Sequence, residues 1–189
     1  MGNIILASKS PRRNELLQFI TKDFKIVPSE KEETIPKNIP LTDVAEYLAT
    51  QKAKDIAEKF ADDIVIGADT VVIIDNTILG KPKDEKDAFS MLKTLSGRVH
   101  EVITGVCIAK GGKFTSFPEN TSVRFNDLSD REINEYIATK DPFDKAGSYG
   151  IQGRGALLVR EIKGDFYNVM GLPVSKLNKI LNLLQGSNL

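Results

Sequence analysis

The sequence predicts an α/β protein built on a mixed, twisted sheet that is flanked by helices. In the first part of the chain, short apolar or β-branched runs alternate with segments of helical period. Several strand-like runs then follow one another between residues 101 and 126. This order of elements is typical of such a sheet. The 189 residues, 41% of them hydrophobic and 28% charged, are enough to bury a core without disulfides.

Apolar and β-branched runs predict the strands. Residues 4–7 form a buried strand, and residues 24–27 form the next. Two β-branched runs predict strands on either side of Gly67-Ala68-Asp69-Thr70, and Asp75-Asn76 predicts a turn. The predicted strands from that region onward cover residues 64–66, 71–74, 78–79, 101–109, 113–117, 121–126 and 156–162.

Apolar residues at helical spacing predict the helices, which cover residues 13–20, 42–60, 84–95, 129–139 and a final segment from 174. Pro11 is well placed near the start of the first helix. Asp43 with Glu46, and Ser129 with Glu132, have the spacing of capping boxes. The polar stretch over residues 29–40 is predicted to be a loop.

Charge and composition exclude several classes of function. Lys plus Arg and Asp plus Glu are each 26, so no overall basic field attracts nucleic acid, and stable nucleic-acid binding is not expected. Cys107 and His100 are each the only residue of their type, which excludes an internal disulfide and any Cys/His metal site. No apolar run approaches the ~18 residues of a membrane span. A cytoplasmic location without membrane binding is predicted.

Two polar clusters near the predicted strand ends carry candidate chemistry. Ser8-Lys9-Ser10-Pro11-Arg12-Arg13 places hydroxyls and guanidinium groups where a strand gives way to a helix, which suits phosphate, although a solvated helix start has the same pattern. Asp69, in Gly67-Ala68-Asp69-Thr70, is placed to bind a divalent cation or take a proton from water. The alternative is an aspartate that caps a turn through its own backbone.

Two further segments are candidates for ligand binding. Gly80-Lys81-Pro82 holds a lysine on a rigid turn, and Lys52 within the second helix is either a ligand-binding cation or an ordinary exposed lysine. Residues 144–155 contain four glycines, which suit either close approach to a ligand or a tight structural loop. The acidic run Glu30-Lys31-Glu32-Glu33 is a solvated loop by default, with metal ligation as the alternative.

Six motifs together resemble those of the Maf family, in the family's order and over residues 4 to about 180. They are Ser8-Lys9-Ser10-Pro11-Arg12-Arg13, Gly67-Ala68-Asp69-Thr70, Gly80-Lys81-Pro82, Ser96-Gly97-Arg98-Val99-His100, Asp144 through Gly153, and Gly171-Leu172-Pro173. The resemblance implies a single Maf-like domain over residues 1–189, similar in fold to inosine triphosphate pyrophosphatase, with two lobes around a substrate cleft. It also implies a divalent metal, Mg²⁺ or Mn²⁺, and a homodimer.

The same resemblance implies a house-cleaning nucleoside triphosphate pyrophosphatase and assigns roles to matching residues. Asp69 is implied as the catalytic base, with Lys52 and Lys81 also in catalysis. The metal is assigned to Glu33 and Asp69, with Glu30 and Glu32 as competitors of Glu33. The substrate-binding residues are implied to be Ser8, Ser10, Arg12, Arg13, Thr70 and Gln152.

Base choice is implied by Arg12, Thr70 and Gln152, which resemble the subgroup that cleaves dTTP and UTP to the monophosphate and pyrophosphate. A carboxamide offers a donor and an acceptor, so Gln152 can pair with two adjacent groups of a uracil-type base. Two alternatives stay open. One is a non-catalytic, nucleotide-responsive regulator of septum formation, because the family is associated with arrest of cell division. The other is a purine-directed inosine triphosphate pyrophosphatase.

Overall fold

The computed structural model describes residues 2–186, and in that range the chain forms a seven-stranded sheet with helices flanking it. Hydrogen-bonded neighbours follow the order β2-β1-β3-β5-β6-β7, and β4 pairs with β3. The strands are β1 (Ile4–Leu6), β2 (Phe24–Ile26), β3 (Ile64–Ile74), β4 (Thr77–Leu79), β5 (Val99–Lys110), β6 (Lys113–Phe125) and β7 (Val159–Lys163). The mixed α/β fold predicted from the sequence is confirmed.

The α-helices are α1 (Pro11–Leu17), α2 (Val44–Ala57), α3 (Glu85–Leu95), α4 (Asp130–Ile137), α5 (Phe166–Met170) and α6 (Val174–Gln185). Short 3₁₀ turns lie at Leu41–Asp43, Asp141–Asp144, Ala146–Ser148 and Gly153–Leu157. None of the helices in the described range is long and apolar enough to cross a membrane.

The chain divides into two compact units. Within the described residues, the first unit contains residues 2–69, 104–119 and 171–186. In this unit β1 pairs in parallel with both β2 and β3. Burial on both faces explains the continuous apolar character of β1 and of the first part of β3. The core between this sheet and α2 is formed by Ile5, Ala7, Ala49, Ala53, Ile56, Val65, Cys107 and Ala109.

The second unit contains Thr70–Ile103 and Asn120–Met170. In this unit β3 pairs antiparallel with β4, and β6 pairs antiparallel with β7. The turn between β3 and β4 is Asp75-Asn76, where both residues have positive φ, as the sequence predicts for a tight hairpin. The apolar faces of α3 and α4 pack over the sheet in a core formed by Val72, Ile74, Ala88, Leu92, Leu95, Val102, Val123, Phe125, Leu128, Ile133, Tyr136, Ile137, Tyr149 and Leu158.

Three local predictions are wrong. Gly67-Ala68-Asp69-Thr70 does not separate two strands, because β3 runs unbroken from Ile64 to Ile74 between its sheet neighbours β1 and β5, and this sheet context outweighs the low strand propensity of Gly, Ala and Asp. Asp69 therefore lies inside a strand and not at a strand end. The two strands predicted between residues 113 and 126 are likewise one strand, β6.

Caps and boundaries give two more differences. The Ser129–Glu132 capping box is present at α4. The one predicted at Asp43 is absent, because the 3₁₀ turn at Leu41–Asp43 already gives Asp43 helical φ and ψ, and its side chain makes no cap hydrogen bond. The strand predicted from residue 156 begins only at Val159, since Gly153–Leu157 is a 3₁₀ turn.

Candidate active site

Helix α2 lies unusually close to the sheet of the first unit because two strand positions are glycine. A Cβ atom at Gly67 of β3 would lie 2.3 Å from the Ala49 carbonyl oxygen, and one at Gly105 of β5 would lie 2.2 Å from the Glu46 backbone nitrogen. Both distances are far below van der Waals contact. The helix can therefore rest on these strands only where they carry no side chain. This close packing brings Lys52 of α2 to Asp69, two residues beyond Gly67 on the same face of β3.

Lys52 joins two carboxylates. Its Nζ contacts Asp69 Oδ1 directly and lies 2.9 Å from Glu33 Oε1. The Lys52 and Asp69 side chains are only 16% and 15% exposed, whereas that of Glu33 is 49% exposed. Taking charges out of water is costly unless they are paired, so a largely buried lysine between two carboxylates is a costly arrangement typical of a functional site. Of the acidic run Glu30-Lys31-Glu32-Glu33, Glu33 is the residue brought to Lys52.

Arg13 lies beside this cluster and is held by the N-terminal motif. Ser10 caps α1 by accepting from the Arg13 backbone N–H at 3.4 Å. The Arg13 guanidinium donates from Nε to the Gly171 carbonyl oxygen at 2.8 Å and from Nη1 to Ser8 Oγ at 3.3 Å. The guanidinium is thereby fixed in orientation between the Ser8 and Gly171 motifs.

The electrostatic environment of Arg13 links it to the carboxylates. Burial lowers the pKa of Arg13, and Arg12 lowers it further, while the negative charges of Asp69 and Glu33 oppose the change. The cations Arg12, Arg13 and Lys52 thus share the environment of two carboxylates. Such a set can bind an anion and also leaves a carboxylate available to accept a proton or bind a cation.

The second unit holds Thr70, Lys81 and Gln152. Thr70 follows Asp69 on β3, is half-buried, and has its side chain on the opposite face of the strand. Lys81 and Gln152 are both exposed. A hydrogen bond of 3.0 Å from the Gly147 N–H to the Gly80 carbonyl oxygen connects the turn that carries Lys81 with the glycine-rich segment that carries Gln152.

The glycine-rich segment is supported by side-chain contacts that no local sequence pattern predicts. Lys145 binds the Asp141 carbonyl oxygen at 2.7 Å and Asp144 Oδ1 at 2.6 Å. Tyr149 Oη lies 2.7 Å from His100 Nε2. Both His100 and Tyr149 lie within recognised motifs, but nothing in the spacing of residues 100 and 149 predicts that their side chains meet. The pairing depends on how β5 and the segment come together in the fold.

The described residues offer few protein ligands for a metal ion. No group of three or more His, Cys, Asp or Glu side chains in residues 2–186 is placed to hold a metal ion. Glu33 and Asp69, whose oxygens both surround the Lys52 ammonium, form a pair of hard oxygen donors. Mg²⁺ is commonly held by one or two carboxylates together with water and substrate phosphate oxygens, so the donor set fits such an ion.

Fold and site together define a class: an α/β protein in which half-buried cations and two carboxylates meet, suited to a phosphate-bearing substrate. The family model described as "Maf-like protein" matches residues 3–184. The chain belongs to the Maf family, as the sequence motifs predict.

Two relatives with assigned names are identical to this chain at about half of the aligned positions. A protein of Bacillus cereus named "dTTP/UTP pyrophosphatase" is 52% identical over 177 residues, covering 94% of this chain and 93% of that protein. A protein of Bacillus cytotoxicus with the same name is also 52% identical, with the same coverage.

Solved structures share the fold at low sequence identity. A Ham1 protein from Coxiella burnetii covers 97% of this chain and 100% of its own, with a TM-score of 0.55 and 13% identity. The Ham1 protein of Staphylococcus aureus covers 66% of this chain and 72% of its own, with a TM-score of 0.50 and 16% identity. These similarities concern the fold alone.

Proposed function

We propose that this protein is a nucleoside triphosphate pyrophosphatase that hydrolyses dTTP and UTP to the monophosphate and pyrophosphate. The observation that carries the proposal is the Lys52 ammonium between Asp69 and Glu33, with Arg13 beside them. The names of the Bacillus relatives, at 52% identity over nearly the whole chain, support the substrate class.

In the proposed reaction Asp69 acts as the general base. A water molecule attacks the α-phosphorus, a new P–O bond forms, and the bond to the bridging oxygen of the β-phosphate breaks. The water's proton passes to the Asp69 carboxylate, and pyrophosphate leaves with the bond's electron pair. Lys52 fixes the direction of that carboxylate through their direct contact. A base that is held in one orientation needs no reorganisation when the water attacks.

The cations of the site neutralise the triphosphate, which carries about four negative charges. We assign Arg12, Arg13 and Lys52 to the phosphates from the geometry of the first unit, and Lys81 by resemblance to the family. Ser8 and Ser10 offer hydroxyl groups beside Arg13. Charge that builds on the leaving pyrophosphate is the charge that such donors stabilise most in the transition state.

Glu33 and Asp69 would hold a divalent ion, Mg²⁺ or Mn²⁺. When bound, such an ion supplies positive charge that is matched to phosphate oxygens. Lys52 contacts both carboxylates, so its ammonium competes with the ion for their oxygens. We therefore infer that substrate phosphate draws Lys52 away from Glu33 and leaves that carboxylate available to the metal.

Base selection is assigned to Gln152, with Arg12 and Thr70. Gln152 is exposed at the start of the 3₁₀ turn Gly153–Leu157, so its carboxamide is accessible to a ligand. A uracil-type base presents an acceptor, a donor and an acceptor on one edge. Cytosine reverses part of that pattern and would leave polar groups unpaired, which supports strong discrimination.

The proposal includes the cellular setting implied by resemblance to the family. We place a homodimer in the cytoplasm, with residues 1–189 acting as one nucleotide-hydrolysing domain. Sedimentation equilibrium of the purified protein tests this assignment. A dimer should give a measured mass twice the 20.8 kDa of the chain.

The test of the proposed activity is a panel of nucleoside triphosphates assayed for pyrophosphate release with Mg²⁺ and with Mn²⁺. We expect dTTP and UTP to be cleaved with the highest kcat/KM. Asp69→Asn should reduce kcat about 10²–10⁴-fold while the protein stays folded. The control Asp62→Asn makes the same chemical change at an exposed position. An Asp69→Asn variant that retains more than about a tenth of wild-type kcat would show that Asp69 is not the base.

A further inference from the structure

The segment that carries Gln152 is closed at its base by two glycines. A Cβ atom at Gly155 would lie 1.8 Å from the Gly150 carbonyl oxygen, so the backbones of these two residues are in direct contact. Gly153 has φ of +58°, which turns the chain between them. Residues 150–155 therefore form a narrow loop, and Gln152 lies exposed within it. We call residues 150–155 the glutamine loop.

Tyr136 anchors the base of the glutamine loop from α4. Its hydroxyl oxygen accepts a hydrogen bond from the Gly150 backbone N–H at 3.1 Å. The same oxygen would lie 3.1 Å from a Cβ atom at Gly155, so it sits against both ends of the loop. The Tyr136 ring is buried in the core of the second unit, and α4 is itself fixed by the Ser129–Glu132 capping box. The Tyr136 hydroxyl therefore extends from a capped helix whose apolar face is packed in the core.

Tyr149 supplies a second anchor, one residue before the loop. Its hydroxyl lies 2.7 Å from Nε2 of His100 on β5, and both side chains are buried. Phe125 packs edge-on against both rings, with centroid distances of 5.1 Å to His100 and 4.7 Å to Tyr149. Edge-to-face packing of this kind holds ring orientations that simple burial would leave free. The phenol is therefore fixed by a hydrogen bond and by packing.

His100 occupies its position at a cost in stability. Its Nδ1 atom is buried without a hydrogen-bond partner in the described part of the chain. Buried polar atoms are nearly always paired, and exceptions concentrate at functional sites. Burial also lowers the pKa of His100 to about 4 and raises the pKa of Tyr149, so both groups are neutral over the pH range of a normal assay. Neither group therefore changes its protonation state over that pH range.

We propose that Tyr136 and the His100–Tyr149 pair are positioning residues for base selection, because together they fix the backbone from which Gln152 extends. The two hydroxyl groups act through consecutive residues, Tyr149 and Gly150, and Gln152 follows two residues later. A residue spans at most ~3.6 Å of chain, so the Gln152 backbone lies within roughly 7 Å of the anchored Gly150 backbone. This inference rests on the proposed function, in which Gln152 reads the base.

The test uses Tyr136→Phe and Tyr149→Phe, which remove one hydroxyl each and keep the rings. Tyr167→Phe makes the same change on a partly exposed ring outside the loop and serves as the control. We expect kcat/KM for dTTP and UTP to fall about tenfold in each of the first two variants, mainly through KM, since a net hydrogen bond is of that order. CTP and ATP should change less than about twofold. The control should match wild type on all four nucleotides.

Hydrogen exchange provides a readout that does not depend on activity. Backbone amides of residues 150–155 should exchange faster in Tyr136→Phe and Tyr149→Phe than in wild type, without faster exchange across the rest of the chain. His100→Gln retains a side chain that can pair with the Tyr149 hydroxyl, so it should exchange more slowly than His100→Ala.

The outcomes separate the two proposals. A wild type that prefers a base other than thymine or uracil shows that the substrate assignment is wrong, and the positioning role is then scored on that preferred base. Equal loss across all four nucleotides, or unchanged exchange in the glutamine loop in both tyrosine variants, overturns the positioning role. If a tyrosine variant does not fold, His100→Gln is compared with His100→Ala instead. Equal exchange in the glutamine loop and equal base preference in these two variants would also overturn the positioning role.

Discussion

Replacing Gly67 by alanine should disable the site without unfolding the protein. The added methyl group would lie 2.3 Å from the Ala49 carbonyl oxygen, 2.8 Å from the Ala53 backbone nitrogen and 3.0 Å from the Ala53 Cβ. Two of these three atoms are backbone atoms of α2, so no side chain can turn aside to make room. The helix must move away from β3 by about 1 Å to restore ordinary packing in this close-packed core.

The substitution should affect both stability and activity, and the two effects differ in size. Overpacking of this kind costs about 1–3 kcal/mol of unfolding free energy, which for a chain of this length lowers Tm by roughly 2–12 °C. The same movement carries Lys52 away from Asp69 and Glu33. A displacement of about 1 Å in a catalytic group can reduce the rate about 10²-fold. We therefore expect a folded protein at 25 °C whose kcat is lower by about two orders of magnitude.

The assay combines thermal unfolding with pyrophosphate release from dTTP. Gly80→Ala is the matched control, because a Cβ atom there meets no atom within 4 Å and Tm should stay close to that of wild type. A Gly67→Ala protein with lowered Tm and wild-type kcat would refute the link between helix position and the Lys52–Asp69 contact. Wild-type Tm and wild-type kcat together would refute the close packing itself.

Three other substitutions give independent predictions. Glu33→Gln should raise the Mn²⁺ or Mg²⁺ concentration needed for half-maximal activity, and the control Glu32→Gln should leave it unchanged. If that concentration is the same in Glu33→Gln and in wild type, Glu33 does not bind the metal. The pKa of His100 is about 4 in the folded protein and 6.5 in the unfolded chain, so the unfolded state binds more protons between these values. Unfolding free energy in urea should therefore fall by about 2 kcal/mol from pH 7 to pH 5, and His100→Gln should lose this part of the pH dependence. Gln152→Glu removes a hydrogen-bond donor and adds a negative charge, so kcat/KM for dTTP and UTP should fall by an amount equivalent to about 1–3 kcal/mol. An equal fall for CTP and ATP would show that Gln152 maintains the shape of the loop and does not select the base.

Local signals in the sequence were sufficient for most elements of the fold. The Ser129–Glu132 capping box and the Asp75-Asn76 turn are set by residues within four positions of each other, so their structures follow from local chemistry. The stretch around Asp69 is different. It lies inside a strand whose sheet neighbours, β1 and β5, are distant in the sequence, and no local pattern predicts that position.

The candidate site also combines features that the sequence predicts with features that only the packed structure shows. Asp69 lies in one of the six motifs, and the resemblance to the family implies Lys52 and Glu33 as further candidates. Their meeting depends on Gly67 and Gly105, which let α2 approach the sheet, and the requirement for glycine at these two positions is visible only in the packed structure. The contact between Glu33 and Lys52 also distinguishes Glu33 from its neighbours Glu30 and Glu32, a choice that the acidic run alone leaves open.

The central claim is that water attacks the α-phosphorus of the nucleotide, and hydrolysis of dTTP in H₂¹⁸O tests it most directly. Mass spectrometry of the products from a single-turnover reaction reports both the bond that is cleaved and the atom that is attacked. The proposed mechanism predicts two products, dTMP carrying one ¹⁸O atom and unlabelled pyrophosphate. Label in the pyrophosphate would place the attack at the β-phosphorus, and unlabelled dTDP with labelled inorganic phosphate would place it at the γ-phosphorus. Either result would contradict the role given to Asp69.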